Sequence, residues 1–168
     1  MILLVSDTSI LIDLGRGGLL EAAFSCEWTM VVPDLLYERE LLPENGPYLR
    51  SLGLGVVELS PDEVAFAQQV KSVRPSLSLA DCFALSCAQR ADHMLLSGDK
   101  VLRAEARARN GVVYGVLWLL DRMHAENVSP ALLFEGLTKI QAHPRCRLPK
   151  DEVQMRLNLW QLSPPRSS

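Results

Sequence analysis

Apolar residues run along this chain in two rhythms. Short, nearly unbroken apolar runs occur at Ile2–Val5, Thr29–Val32, Val56–Leu59, Met94–Leu96 and Val112–Tyr114, and read as strands buried on both faces. Between them lie stretches with helical character: about Ser9–Leu14, Leu19–Phe24, Pro33–Leu42, Ser60–Val73, Ser78–Ala91 and Asp99–Arg109. Gly15, Gly17 and Gly18 break the first of these, Pro43–Gly46 makes a loop, and Pro75 stops the helix that opens at Ser60-Pro61-Asp62-Glu63 with a hydroxyl cap, a proline and an acid. From Gly115 onward only helical segments remain, at Val116–Glu126, Ser129–Ile140 and Pro149–Leu159. Strand alternating with helix predicts an α/β fold, an open parallel sheet of four to five strands flanked by helices, with a C-terminal helical extension. Residues 1–122 form the α/β unit, 123–162 the extension packed on the same domain, and 163–168 a loose tail.

The chain's 168 residues suit one domain, and 48% hydrophobic residues can fill its core. A net charge of -3 excludes a uniformly basic nucleic-acid binder, so any such role needs local patches. Cys26, Cys82, Cys87 and Cys146 contain no C-x-x-C pair and read as small core residues in a reducing compartment, and His93, His124 and His143 lack zinc-ligand spacing. With no long apolar span and no basic leader, a cytoplasmic protein is expected.

Acids at strand and helix ends carry the candidate chemistry. Asp7 directly follows the first strand, where ligands of open α/β sheets bind, and it equally suits a helix cap. Asp81 is the only charged residue between Pro75 and Arg90; Ser78 three residues earlier makes it part of a capping box. Asp99 follows Ser97-Gly98 in a tight strand-to-helix turn. Glu38 and Glu40 flank Arg39, about 200° apart on an α-helix, so only one can turn toward the Asp7 edge. A cluster of carboxylates without His or Cys is tolerable only beside a cation, and hard divalent ions such as Mg²⁺ or Mn²⁺ prefer oxygen ligands.

Ser6-Asp7-Thr8-Ser9, Leu35-Leu36-Tyr37-Glu38, Leu79-Ala80-Asp81, Leu96-Ser97-Gly98-Asp99 and the late Val113-Tyr114-Gly115-Val116-Leu117-Trp118 occur in this order. Together they resemble the PIN-domain ribonucleases, which include the toxins of VapBC-type toxin–antitoxin pairs. The resemblance covers roughly residues 1–122. It implies that Asp7, Glu38, Asp81 and Asp99 are the catalytic acids, with Asp7, Asp81 and Asp99 holding Mg²⁺ or Mn²⁺, and Glu40-Leu41 the alternative to Glu38. Ser9 would sit near the metal and Ser97 would brace Asp99. The implied reaction is hydrolysis of an RNA phosphodiester by a metal-activated water in line with the leaving group. The implied partners are an RNA substrate, a small antitoxin seated near Ile10, Leu11, Leu14 and the Leu35–Leu42 helix, and a second copy in a homodimer.

Lys100, Arg103 and Arg107, at helical spacing after Asp99, form a stripe suited to phosphates, or a solvated face balanced by Glu105. Trp118 and Trp160 read as core or interface anchors. A haloacid-dehalogenase-type phosphatase needs an acid where Ser9 stands, no P-loop is present, and the glycine fingerprint of a dinucleotide fold is missing. The remaining alternative is a catalytically silent PIN-like module that binds protein or RNA.

Overall fold

A computed structural model describes residues 2–162; the tail expected at 163–168 lies outside them. Five parallel strands, β1 (Ile2–Ser6), β2 (Trp28–Pro33), β3 (Gly55–Val57), β4 (His93–Leu96) and β5 (Val113–Tyr114), form one sheet in the order β3-β2-β1-β4-β5. Successive connections step from β1 through β2 to β3, then return to β4 on the other side of β1. The sheet therefore reverses direction between β1 and β4, the crevice where open α/β sheets bind ligands. Register places Ser6 beside Leu96, so the residues that follow each strand, Asp7 and Ser97, emerge together.

The helices are α1 (Thr8–Arg16), α2 (Leu20–Phe24), α3 (Asp34–Leu36), α4 (Gly46–Leu52), α5 (Pro61–Val73), α6 (Leu79–Ala88), α7 (Lys100–Ala108), α8 (Val116–Ala125), α9 (Pro130–Ala142) and α10 (Lys150–Leu162). Helix α3 runs straight into a π-helical turn, Tyr37–Leu41, closed by a 2.8 Å bond from the Leu42 amide to the Tyr37 carbonyl. Helix α4 occupies a segment that the pattern of apolar residues leaves unassigned. Its signals are local and weak: Pro47 in the first turn and Gly53 ending it at φ 119°. The third strand also lies slightly earlier than its apolar run, with Leu59 buried outside it.

Helix α6 is the internal element. Ala80 and the run from Cys82 to Cys87 are buried, and the helix packs on β1, β2, β4 and α5. Such a helix presents only its ends to water. At its carboxyl end Arg90 forks onto Glu63 with two 2.8 Å bonds and donates another at 2.7 Å to the Glu58 carbonyl. Glu63 also closes the predicted capping box with Ser60. The Arg90 hydrogen bonds hold the Glu63 carboxyl down to about 2. Since its folded-state value lies below the unfolded one, the interaction stabilises the fold above about pH 4.5 and is lost as pH falls toward 2. Glu63→Gln should therefore flatten the acid limb of a melting-temperature profile over that window; an unchanged profile would reject the assignment.

The C-terminal helices close over α1. Leu133, Leu137 and Ile140 of α9 are buried, and Val153, Leu157 and Trp160 of α10 join the same core. Helix α9 packs on α1, and α10 on α9. No helix among the described residues is long and apolar enough to cross a membrane. All four cysteines are free thiols, Cys82 and Cys87 buried, Cys26 and Cys146 partly so.

Candidate active site

In a parallel sheet every crossover helix starts at the carboxyl edge, so helix N-termini, with their partial positive charge, gather there. The three candidate aspartates occupy such N-termini. Asp7 caps α1, its Oδ1 accepting from the Ile10 amide at 3.1 Å and the Ser9 hydroxyl at 2.7 Å. Asp99 caps α7, its Oδ1 accepting from the Leu102 amide at 2.8 Å. Asp81 lies in the first turn of α6, where its Oδ2 accepts from the Ser78 amide at 3.3 Å while the Ser78 hydroxyl receives the Asp81 amide at 3.0 Å. The capping and the functional readings thus coexist. Each cap uses one named oxygen of Asp81 and Asp99 and leaves the other outside it.

The aspartates are electrostatic neighbours. Burial pushes the Asp7 carboxyl up to about 6; hydrogen bonds from Ser97, Ser9 and the Ile10 amide oppose this, and Asp81 adds to it. Burial likewise raises Asp81, against its Ser78 bonds, with Asp99 and Glu40 adding repulsion. Serines join the set. Ser97 is fully buried, receives the Asp99 amide at 3.0 Å and bonds the Asp7 side chain. Ser9 donates to Asp7 and receives the Gly98 amide at 3.5 Å. The β1 and β4 ends are therefore tied together through two hydroxyls.

Of the two glutamates, Glu40 is the one turned toward the Asp7 edge. Its Oε2 accepts a 2.7 Å bond from the Thr8 hydroxyl, one residue past Asp7, and it acts on Asp81. Glu38 is exposed. The reason is the π-helical turn: an extra residue per turn shifts the helix phase, so α-helical geometry does not decide which glutamate faces inward.

Among the described residues none of these four acids is ion-paired with a lysine, arginine or histidine. Nor do any three His, Cys, Asp or Glu side chains converge closely enough to form a ready-made metal cage. The donor set is all oxygen and lacks a counter-charge, which suits a hard divalent cation in chemistry. The side chains stand as neighbours, each tied to its own helix, rather than as a closed cup.

The stripe on α7 divides. Lys100 and Arg103 line a cavity beside the acids, while Arg107 is exposed farther along. Glu105 does not balance them: it is buried and holds Arg74 at 3.2 Å and Arg109 at 3.1 Å. Ile10, Leu11 and Leu14, expected to border a partner groove, are core residues; Ile12 and Leu42 are the exposed apolar ones nearby. Trp160 is buried as expected of an anchor, whereas Trp118 is half-buried and lines the same cavity as Lys100.

No curated protein matches the chain. The sequence does match a PIN-domain family over residues 3–161, which takes in the C-terminal helices as well as the sheet. With that match across nearly its whole length and a parallel sheet that carries its acids at the carboxyl edge, the chain belongs to the PIN-domain family, whose members are generally nucleases and typically need a divalent metal.

Proposed function

We propose that the protein is a Mg²⁺- or Mn²⁺-dependent ribonuclease that hydrolyses RNA phosphodiester bonds. The observation that supports this reading is that Asp7, Asp81, Asp99 and Glu40, from four separate elements, are electrostatic neighbours near the carboxyl edge of the sheet and none is ion-paired among the described residues. Asp7, Asp81 and Asp99 would hold the metal, with Glu40 taking the place expected of Glu38. The bound ion supplies Lewis-acid charge stabilisation and a more acidic water. The chain's own residues do the positioning. Ser97 and Ser9 fix the Asp7 carboxylate and couple it to the Asp99 loop. Thr8 holds Glu40 toward the same edge, where its carboxylate can accept a proton from an attacking water.

The test is cleavage of a panel of single-stranded RNAs with EDTA, Mg²⁺ or Mn²⁺ by wild type and Asp99→Asn. Asparagine caps helices as well as aspartate does, so the variant should keep its melting temperature. Cleavage should require metal and fall about 100-fold or more in the variant. Metal-independent cleavage, or full activity in Asp99→Asn, would reject the mechanism.

The toxin role belongs to the same proposal: a small partner protein would silence the enzyme by covering the acidic edge, where Ile12 and Leu42 offer exposed apolar contacts. A homodimer and a cytoplasmic setting complete it. Size-exclusion chromatography with light scattering of the protein alone and after co-expression with the neighbouring reading frame tests both associations.

A further inference from the structure

Past Gly98 the acidic edge opens into a cleft that hydrolysis itself does not use. Two cavities lie in line there and share Asp13, Gly98, Arg147 and Leu148. The nearer, about 290 Å³, borders Ser9 and Asp99; the farther, about 420 Å³, reaches Tyr114 and Trp118. Together they reach from the acids to the start of α8. One wall is the start of α7 and α8, and the other is the α9–α10 connection, residues 143–149.

The charge of this cleft is opposite to that of the acids. Lys100, Arg145 and Arg147 are exposed along it and form no ion pair among the described residues. Arg103 is half-buried, with its Nη1 donating to the Ser97 carbonyl at 3.3 Å. The cleft's own acids are already engaged: Asp13 with Arg16 at 3.7 Å, Glu152 with Arg156 at 3.0 Å. What remains is a line of unpaired cations that starts at the acidic centre. At its far end Tyr114 and Trp118 stack in parallel, centroids 4.2 Å apart and planes within 8°. Cations for phosphates beside an aromatic pair for bases is the composition of a single-strand track, whereas an acidic peptide has no use for the aromatic pair.

We propose that the RNA strand flanking the scissile phosphate lies in this cleft unpaired, its phosphates on Lys100, Arg145 and Arg147 and a base against the Tyr114–Trp118 pair. The inference rests on the ribonuclease reading above and assigns the path of the strand beside the acids to these residues. A base can stack on the Tyr114–Trp118 pair only where it is free of a duplex stack.

The test uses a 5′-fluorescein 10-mer RNA, single-stranded and as a duplex, with anisotropy read in EDTA over a salt series and cleavage read in Mn²⁺. Wild type should bind the single strand more tightly than the duplex, and the single strand should quench tryptophan emission, with Trp28 and Trp160 buried and Trp118 lining the cleft. Arg145→Glu/Arg147→Glu, at two exposed positions, should weaken single-strand binding about tenfold or more. Its salt slope should shrink by roughly 1.4, the value for two single-strand phosphate contacts. Trp118→Leu should cost on the order of tenfold, and Trp118→Phe much less. If wild type cleaves RNA while the double arginine variant binds and cuts like wild type, the cleft assignment falls and the ribonuclease stands. Equal duplex binding, or equal competition by polyglutamate, also overturns it. If wild type neither binds nor cuts RNA, both readings fall.

Discussion

Asp7→Asn should yield a protein that cuts RNA at least about 100-fold more slowly yet, free of metal, melts at a higher temperature than wild type. The two effects share one cause. The Asp7 side chain is 1% exposed and its carboxyl is pushed up to about 6, mainly by burial. A folded-state value above the unfolded one means that the folded, metal-free chain resists ionisation. Its stability falls as pH rises from about 3.8 to about 6, and the deficit is complete above that. Asparagine carries no charge and its amide oxygen can receive the bonds from the Ile10 amide and the Ser9 hydroxyl. The expected gain at pH 7.5 in EDTA is on the order of 1–3 kcal/mol. Millimolar Mg²⁺ should then raise the melting temperature of wild type and leave the variant where it was. Differential scanning fluorimetry with and without EDTA measures both. A variant no more stable than wild type would show that the buried carboxylate is not under strain, and with it the argument for a missing cation would go.

Gly136→Ala should be the most damaging small substitution in the C-terminal half. A Cβ there would stand 2.5 Å from Leu19 Cδ1, 2.7 Å from its Cγ and 3.0 Å from the Gly17 carbonyl oxygen. Leu19 is fully buried and has no room to retreat. Across the same contact, a Cβ on Gly17 would meet the Gly136 carbonyl at 2.9 Å. Helix α9 therefore lies against the turn that ends α1 at backbone distance. Overpacking at this point should cost roughly 2–3 kcal/mol and lower the melting temperature by on the order of 5–10 °C. Because α9 leads into the connection that holds Arg145 and Arg147, single-strand binding should weaken before unfolding is complete. Circular dichroism melts and anisotropy below the transition test the two parts, and a wild-type melt would show that the helices separate without cost.

What could be read from the chain alone follows from what each signal depends on. Strand runs such as Ile2–Val5 and caps such as Ser60-Pro61-Asp62-Glu63 are local, and they stand where the pattern places them. That Asp7 and Asp99 stand at the carboxyl edge was legible because the end of a parallel strand and the start of the helix that follows it share that edge. That Glu40 and not Glu38 turns toward that edge was not, since it depends on a π-helical turn that no residue spacing announces. The Glu105–Arg74 pair and the placement of Arg145 and Arg147 opposite α7 are long-range facts, the second fixed by how α9 and α10 fold back. Helix α4 escaped for a different reason: seven residues carry too little periodicity to be separated from a loop.

The double duty of the aspartates has an evolutionary consequence. Since Asp7 and Asp99 each begin a helix, drift to asparagine at either would keep the scaffold upright while silencing its chemistry. A descendant altered in this way would still display the same cationic furrow and could persist as an RNA-holding or decoy protein. On the proposed reading the distance between hydrolase and mute relative is a single isosteric step, and selection has to guard the charge itself because folding does not.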